Sequence, residues 1–211
     1  MKKVFLLALM LVATISTVSA QQHNLWELWA TPKVGAAYSN FTTNGGKWLI
    51  GPRVGGDAEV FFNNHVSLTF DIHYSRIGSK NAFYPLEDSE TGKLVNSGPY
   101  NYHMDVLNTQ YLGKYYIANG IALFSGIHLA RILNAKYDFD GSSHAFKEQI
   151  HRGLVSIPAG LALSFGRLQL EAQYDFSLNK VPKTAKAKSI LGNCHMHTVS
   201  LTLGYRINVL W

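Results

Sequence analysis

Hydrophobic and polar residues alternate along residues 199–211. The odd positions are apolar or aromatic, whereas the even positions before residue 210 are small or polar. Successive side chains of a strand point to opposite faces, so a period of two predicts a β-strand with two chemically different faces. The odd positions are Val199, Leu201, Leu203, Tyr205, Ile207, Val209 and Trp211.

Seven earlier segments show the same alternation, which brings the predicted number of strands to eight. A strand that crosses a membrane needs about 9–11 residues, of which only every second one must be apolar. We therefore predict an all-β protein, an eight-stranded antiparallel up-and-down transmembrane β-barrel. The seven segments are residues 33–41, 50–62, 66–75, 105–117, 121–133, 155–165 and 168–178.

The connections between these strands alternate between tight and longer ones. Three are tight, at Asn63 and Asn64, at residues 118–120 and around Gly166, where Asn and Gly tolerate the backbone of short hairpins. A barrel inserted into a membrane from one side has short turns at one end and longer loops at the other, and its even strand number puts both termini at the short-turn end. The longer connections are residues 42–48, 79–104, 134–152 and 179–197.

The first twenty residues predict a secretory signal peptide. Lys2 and Lys3 form a positive start, residues 4–13 are apolar, and cleavage is expected near Ala20. The apolar run is about half the ~20 residues that a membrane-spanning helix needs, which disfavours an anchor. The predicted organisation is a signal peptide at 1–20, a short N-terminal lead-in at 21–31 and an outer-membrane β-barrel at 32–211.

Composition narrows the remaining classes. The chain has 19 Lys and Arg against 13 Asp and Glu, and loss of Lys2 and Lys3 with the signal leaves 17, a net charge of +4. This charge is too small to indicate a nucleic-acid partner. The single cysteine, Cys194, excludes an internal disulfide. In the lead-in, Trp26 and Trp29 suit a membrane interface.

The polar faces of the predicted strands carry charges of both signs. In an eight-stranded barrel the lumen is narrow and filled by side chains, where opposite charges can pair. A basic side chain facing lipid near the midplane would instead cost about 2–4 kcal/mol. We therefore expect an inward polar network formed by Arg53, Asp57, Glu59, Asp71, His73, Lys114, Glu171, Asp175 and Arg206.

A water-soluble barrel of lipocalin type is the alternative architecture, with the apolar face inside. Gly46, Lys47 and Trp48 match the G-x-W tripeptide of lipocalins. That tripeptide lies in the first predicted loop rather than in the first strand. We interpret the match as coincidence.

The chain resembles the PorT-like outer-membrane β-barrel family. The resemblance rests on residues 71–80, 107–116, 157–161 and 168–176, and it departs from the family at Thr109, where a proline is common. It implies a membrane barrel. The namesake's link to protein secretion adds an accessory role in a secretion or transport complex as an alternative function.

The last strand also resembles the signal that the barrel-assembly machinery reads during biogenesis. That pattern is a polar residue, a glycine two positions later, then hydrophobic residues and a terminal aromatic residue. The resemblance implies that this machinery is a partner during assembly. The matching residues are Thr202, Gly204, Ile207, Val209 and Trp211.

Two residue groups could carry chemistry. The run from Cys194 to His197, with His195 and Met196 between them, contains ligand types suited to copper or zinc, but neighbours in an extended segment point in opposite directions. His73 and Ser75 put a base and a hydroxyl on one face, as in barrels that modify lipid A. We expect the first group to be a loop-to-strand junction and the second to belong to the polar lumen.

Two loops carry features that suit a partner. Lys180, Lys183, Lys186 and Lys188 follow one another without an intervening acid, and such a stretch would attract phosphates of lipopolysaccharide or an acidic partner. A simply solvated loop is the favoured interpretation. Aromatic residues in the second loop suit a partner surface or packing on the barrel rim. They are Phe83, Tyr84, Tyr100 and Tyr102.

We predict a non-enzymatic outer-membrane protein whose surface loops bind a partner or support the envelope. The expected partners are outer-membrane lipid and lipopolysaccharide, the barrel-assembly machinery and an envelope protein, with no cofactor and no nucleic acid. The alternatives are an accessory subunit of a secretion or transport complex and a lipid-modifying enzyme. Eight strands leave no wide channel, which disfavours an open pore.

Overall fold

The computed structural model describes residues 25–42, 46–87, 94–139, 141–145, 147–184 and 194–210. The predicted signal peptide, residues 21–24 of the lead-in, Lys186, Lys188 and Trp211 lie outside these ranges. Ten strand segments and a short 3₁₀ helix, Lys147–Gln149, follow one another in the described chain. The strands are β1 Leu28–Phe41, β2 Lys47–Phe61, β3 Val66–Glu87, β4 Leu94–Ala118, β5 Ile121–Phe139, β6 Ser142–Ala145, β7 Gly153–Phe165, β8 Leu168–Ser177, β9 Met196–Tyr205 and β10 Ile207–Leu210.

The sheet closes on itself. Consecutive strands pair antiparallel from β1 to β5, and then from β5 through β7 and β8 to β9. β1 also pairs with β9, from Lys33 opposite Gly204 to Phe41 opposite Met196, and with β10. β9 and β10 form one barrel strand that is interrupted at Arg206. β6 pairs with β5 outside the closed ring of strands and adds no strand to the barrel. The predicted eight-stranded antiparallel barrel is thus confirmed.

Three tight turns connect strands at one end of the barrel, which we call the short-turn end. Gly120 and Gly166 have φ angles of 73° and 60°, a conformation that costs glycine little because it has no Cβ. In the first turn the side-chain oxygen of Asn63 accepts hydrogen bonds from the backbone N–H groups of His65 and Val66, both at 2.8 Å. The residue types that predicted these turns also explain their geometry.

The longer connections leave the opposite end, the long-loop end, and two of them contain more strand than predicted. Residues 79–104 are not a loop, because β3 runs to Glu87 and β4 begins at Leu94, with Glu87 opposite Leu94. Within residues 134–152, β5 continues to Phe139 and pairs with β6. The alternation fades there because neither face of a protruding hairpin must be uniformly apolar, although its backbone pairing continues.

The first strand begins earlier than predicted. β1 starts at Leu28, so residues 28–31, predicted as lead-in, belong to the barrel wall, where they pair with β2. Trp29 is therefore buried inside the barrel rather than placed at the membrane interface. Trp26 stays exposed and packs edge-on against Phe62, with ring centroids 5.6 Å apart.

The exterior of the barrel carries a continuous apolar belt. Arg76, Asp105 and Arg131 mark its long-loop boundary, and His65 and Arg167 lie at the short-turn end. Between these boundaries no outward position of a described strand carries a charged side chain. Apolar residues outside and charged residues inside define the inside-out arrangement of a membrane barrel. Among the described residues, no helix has the length and apolar character needed to cross a membrane.

Candidate functional site

The lumen is filled by three layers of side chains. An apolar cluster closes the short-turn end, a charged layer occupies the middle, and a second apolar cluster closes the long-loop end. All nine residues predicted to form the inward polar network are buried, and Arg206 lies where the middle layer meets the short-turn cluster. The short-turn cluster consists of Trp29, Phe61, Leu112, Tyr116, Ala122, Phe124 and Ala162.

Lys114 is the centre of the charged layer. Its ammonium nitrogen lies 3.0 Å from Glu171 Oε1, 3.3 Å from Glu59 Oε2 and 3.9 Å from Asp57 Oδ2. Glu59 also accepts hydrogen bonds from the hydroxyl of Tyr116, at 2.7 Å, and from Ser67. β4 thus contributes the cation that links acids from β2 and β8 across the lumen.

Lys33 is a second buried cation, and sequence reasoning did not include it. It forms ion pairs with Asp57 and, at 2.5 Å, with Glu171, and its nitrogen lies 3.5 Å from Asp71. The sequence pattern indicates the orientation of this residue. Lys33 directly precedes the outward Val34, so its side chain lies on the inward face of β1. The predicted network lacks Lys33 because the predicted strand begins at this residue.

Arg206 lies at the interruption between β9 and β10. Its guanidinium carbon sits 4.5 Å from the centroid of the Trp29 ring, a cation–π contact, and Nη2 lies 3.9 Å from Glu59 Oε2. The closing strand therefore directs its arginine toward Glu59 at the short-turn end. The acids of β8, Glu171 and Asp175, lie further along the lumen, because the register of β8 and β9 places them nearer the middle.

His128 is a further inward residue that the prediction left out of the polar network. Its Nδ1 lies 2.9 Å from Asp175 Oδ1, and its Nε2 lies 2.9 Å from Asn108 Oδ1. The amide nitrogen of Asn108 donates to Ser75 Oγ and to the carbonyl oxygens of His73 and Val106, so Asn108 Oδ1 is an acceptor. The Nδ1–H group of His128 accordingly donates to the Asp175 carboxylate and links β5 to β8 across the lumen.

The described middle layer brings acidic and basic side chains together. The acids are Asp57, Glu59, Asp71, Glu171 and Asp175. The basic side chains beside them are Lys33, Arg53, Lys114, His128 and Arg206. Burial of charges in a narrow lumen costs least when each charge is paired with an opposite one.

His73 and Ser75 lie in this layer and not on the barrel surface. His73 Nδ1 donates to Asp71 Oδ1 at 2.5 Å, and Ser75 Oγ accepts from Asn108 at 2.9 Å. Both residues line a cavity of about 20 Å³, together with Arg53 and His128. That volume holds about one water molecule and no lipid.

The apolar cluster at the long-loop end forms a plug that the sequence did not predict. The connection after β8 folds inward, where Val181 N donates to the carbonyl oxygen of Cys194 at 3.0 Å and Pro182 forms a β-bridge with Ile150. Tyr102, predicted as a loop aromatic, is buried and packs against Phe41. The members are Ala37, Phe41, Ile77, Tyr102, Met104, Val106, Ala130, Ile132, Ala135, Ile150, Leu154, Val181, Cys194 and Met196.

The side chains from Cys194 to His197 alternate between the buried plug and partly exposed positions. Cys194 and Met196 are buried in the plug, while His195 and His197 are partly exposed and contact the ring of Phe176. The side chains of this run therefore do not converge on one point. The described residues contain no group of three or more His, Cys, Asp or Glu side chains arranged to hold a metal ion.

The residues of the predicted assembly signal lie at the end of the closing strand. Ile207 and Val209 are exposed on the outside, Thr202 is buried on the inward face, and Gly204 pairs with Lys33 of β1. Ile207 and Val209 are therefore accessible from outside the barrel, where another protein could contact them. Recognition by the barrel-assembly machinery stays a prediction.

Fold and surface together define a transmembrane β-barrel of the small outer-membrane type. The attachment invasion locus protein Ail of Yersinia pestis is similar in structure, with a TM-score of 0.51 and 16% identity over 86% of this chain and 99% of that chain. Neisserial surface protein A is similar too, with a TM-score of 0.50 and 14% identity over 86% and 97%. No family model and no curated protein sequence matches, so membership of the PorT-like family stays a prediction.

Proposed function

We propose that this protein is a non-enzymatic barrel of the bacterial outer membrane whose long-loop end binds an envelope or surface partner. The observation that carries the proposal is the contrast between the two parts of the molecule. The lumen is packed and its charged side chains form ion pairs, whereas β3 and β4 continue as a paired hairpin beyond the apolar belt. In this proposal the barrel holds the protein in the membrane, and the protruding hairpin contacts the partner.

The packed lumen supports a role without transport. Apolar clusters lie on both sides of the charged layer, and the side chains of that layer pair with one another. A water-filled pathway would have to pass through both apolar clusters. The middle layer therefore serves to stabilise the barrel and its register.

The protruding sheet supports a role in binding. β3 pairs with β4 from Ser79 opposite Tyr102 to Glu87 opposite Leu94, and β4 pairs with β5 as far as Asn101 opposite Asp138. The exposed β6 ends this sheet at Ser142–Ala145. Regular strands with free edges present backbone groups that a partner strand can pair with.

Removal of the hairpin tests this proposal. In the variant, residues 83–99 are replaced by an Asn-Gly turn between Ala82 and Tyr100, which already pair with each other. We expect the barrel to fold, migrating faster on a gel before boiling than after it, and to lose any partner that co-purifies with the intact protein in mild detergent. The control is the double variant Ser142→Ala and Ser143→Ala on β6, which should keep the partner.

Two results would contradict the proposal. One is a truncated barrel that retains the same stoichiometric partner as the intact protein. The other is an intact protein that purifies alone even after cross-linking in cells. A partner that belongs to a secretion machine would support the accessory-subunit alternative as the specific form of this function.

The lipid-modifying alternative has its own test at His73 and Ser75. Both side chains are buried among paired lumen residues, so we expect the double variant His73→Ala and Ser75→Ala to leave the mass spectrum of lipid A unchanged. The comparison is with cells that lack the protein altogether. A lipid A species lost in both strains would establish an enzyme.

A further inference from the structure

Basic side chains lie at the long-loop end on several sides of the barrel, and three of them are grouped around Gly153 of β7. On the side of β3 and β4, Arg76 is neutralised by Asp105, with Nε 2.8 Å from Oδ1. On the side of β5, β7 and β8, Arg131, Arg152 and Lys180 are exposed and form no ion pair within the described residues. Glu148, the described acid nearest to Arg152 in sequence, pairs with none of them. We call these three basic residues the basic rim.

A glycine lies between two members of the basic rim. Gly153 of β7 is directly opposite Arg131 of β5. On its other side, Asn179, the residue before Lys180, donates from its side chain to the Gly153 carbonyl oxygen at 2.9 Å. A Cβ at Gly153 would approach only the carbonyl oxygen of Ala130, at 3.7 Å, so the space above this residue is open. An anion can therefore approach the barrel wall between two cations.

The surface directly below the basic rim is apolar. Leu129 of β5, Val155 of β7 and Leu178 after β8 are exposed on the outward face, two residues from Arg131, Gly153 and Lys180 respectively. Acyl chains can pack on these side chains while a headgroup lies at the level of the cations. Positive charge immediately above an apolar wall matches an amphipathic anion and not a free inorganic one.

We propose that the basic rim binds the phosphate group of a glycolipid in the outer leaflet, with the acyl chains of that lipid against Leu129, Val155 and Leu178. The proposal rests on the proposed function, because it requires the barrel to stand in a membrane with its long-loop end outward. Guanidinium and ammonium groups both donate charge-assisted hydrogen bonds to phosphate oxygens. Arg131 and Lys180 would hold one phosphate across Gly153.

Native mass spectrometry and lipid titration of the purified barrel in detergent test the site. The probes are lipid A with its phosphates and the same lipid after enzymatic dephosphorylation. We expect the double variant Arg131→Gln and Lys180→Gln to bind phosphorylated lipid A about 30-fold more weakly, since each lost cation near the surface contributes roughly a tenfold factor or less. Gly153→Asp, which places an acid in open space, should weaken binding by at least about tenfold.

The matched control removes two charges elsewhere at the long-loop end, outside the basic rim. Lys47 and Lys80 are exposed and directly opposite each other in β2 and β3, so Lys47→Gln with Lys80→Gln changes the net charge equally. This variant should bind within about twofold of the unaltered protein, with gel mobility establishing that every variant is folded. Equal losses in both double variants would show diffuse attraction and overturn the proposal.

Two further results would also overturn it. One is dephosphorylated lipid A that binds as tightly as the phosphorylated form. The other is displacement of the bound lipid by millimolar inorganic phosphate. These measurements use no protein partner. Their failure is therefore distinguishable from failure of the hairpin experiment, which uses no added lipid.

Discussion

Replacing Lys114 with methionine is expected to destabilise the barrel by about 3–5 kcal/mol, because it leaves buried carboxylates without their shared cation. Glu171, Glu59 and Asp57 all lie within 4 Å of the Lys114 nitrogen, and none of them can reach solvent past the two apolar clusters. The measurement is a urea titration of the barrel in lipid vesicles, followed by tryptophan fluorescence.

Two variants make this result specific. Lys136→Met removes an exposed lysine of β5 and should change stability by no more than about 0.5 kcal/mol. Adding Glu171→Gln to Lys114→Met removes one of the three acids that lose this cation and should recover about 0.5–3 kcal/mol. A Lys114→Met barrel as stable as the Lys136→Met barrel would mean that the middle layer does not hold the fold together.

Arginine in place of Leu201 is the second large effect. Leu201 is 53% exposed, lies midway along the outward face of β9 and pairs with Ala36 and Ala172 of its neighbours. In a lipid bilayer this substitution should cost about 2–4 kcal/mol, because a charged side chain replaces an apolar one near the midplane. Equilibrium unfolding in vesicles measures the cost.

A residue at a different depth in the membrane supplies the control for this experiment. Val209 of β10 is 49% exposed but lies at the short-turn end, where Val209→Arg should cost no more than about 1 kcal/mol. The exposed fractions are nearly equal, so only the position relative to the membrane differs. Equal small costs at both positions would indicate an aqueous exterior and would favour the water-soluble barrel.

The candidate site was predictable only in part, and Lys33, His128 and Arg206 show where the limit lies. The alternation assigned an inward face to each strand, and all nine residues of the predicted inward polar network are buried. Pairing across the lumen was not accessible in this way. Which acid faces Arg206 depends on the stagger between strands, and this stagger places Glu59 of β2, far away in sequence, beside the end of β9.

The sequence by itself determined the strand number, the positions of the tight turns and which face of each strand is apolar. These properties are local, because period-two alternation and turn residues act over a few neighbouring positions. Only the tertiary structure decided the length of the β3–β4 hairpin, the plug that contains Val181 and Ile150, and the pairing of charges in the lumen. Each of these arises when the sheet closes and brings together residues that are distant along the chain.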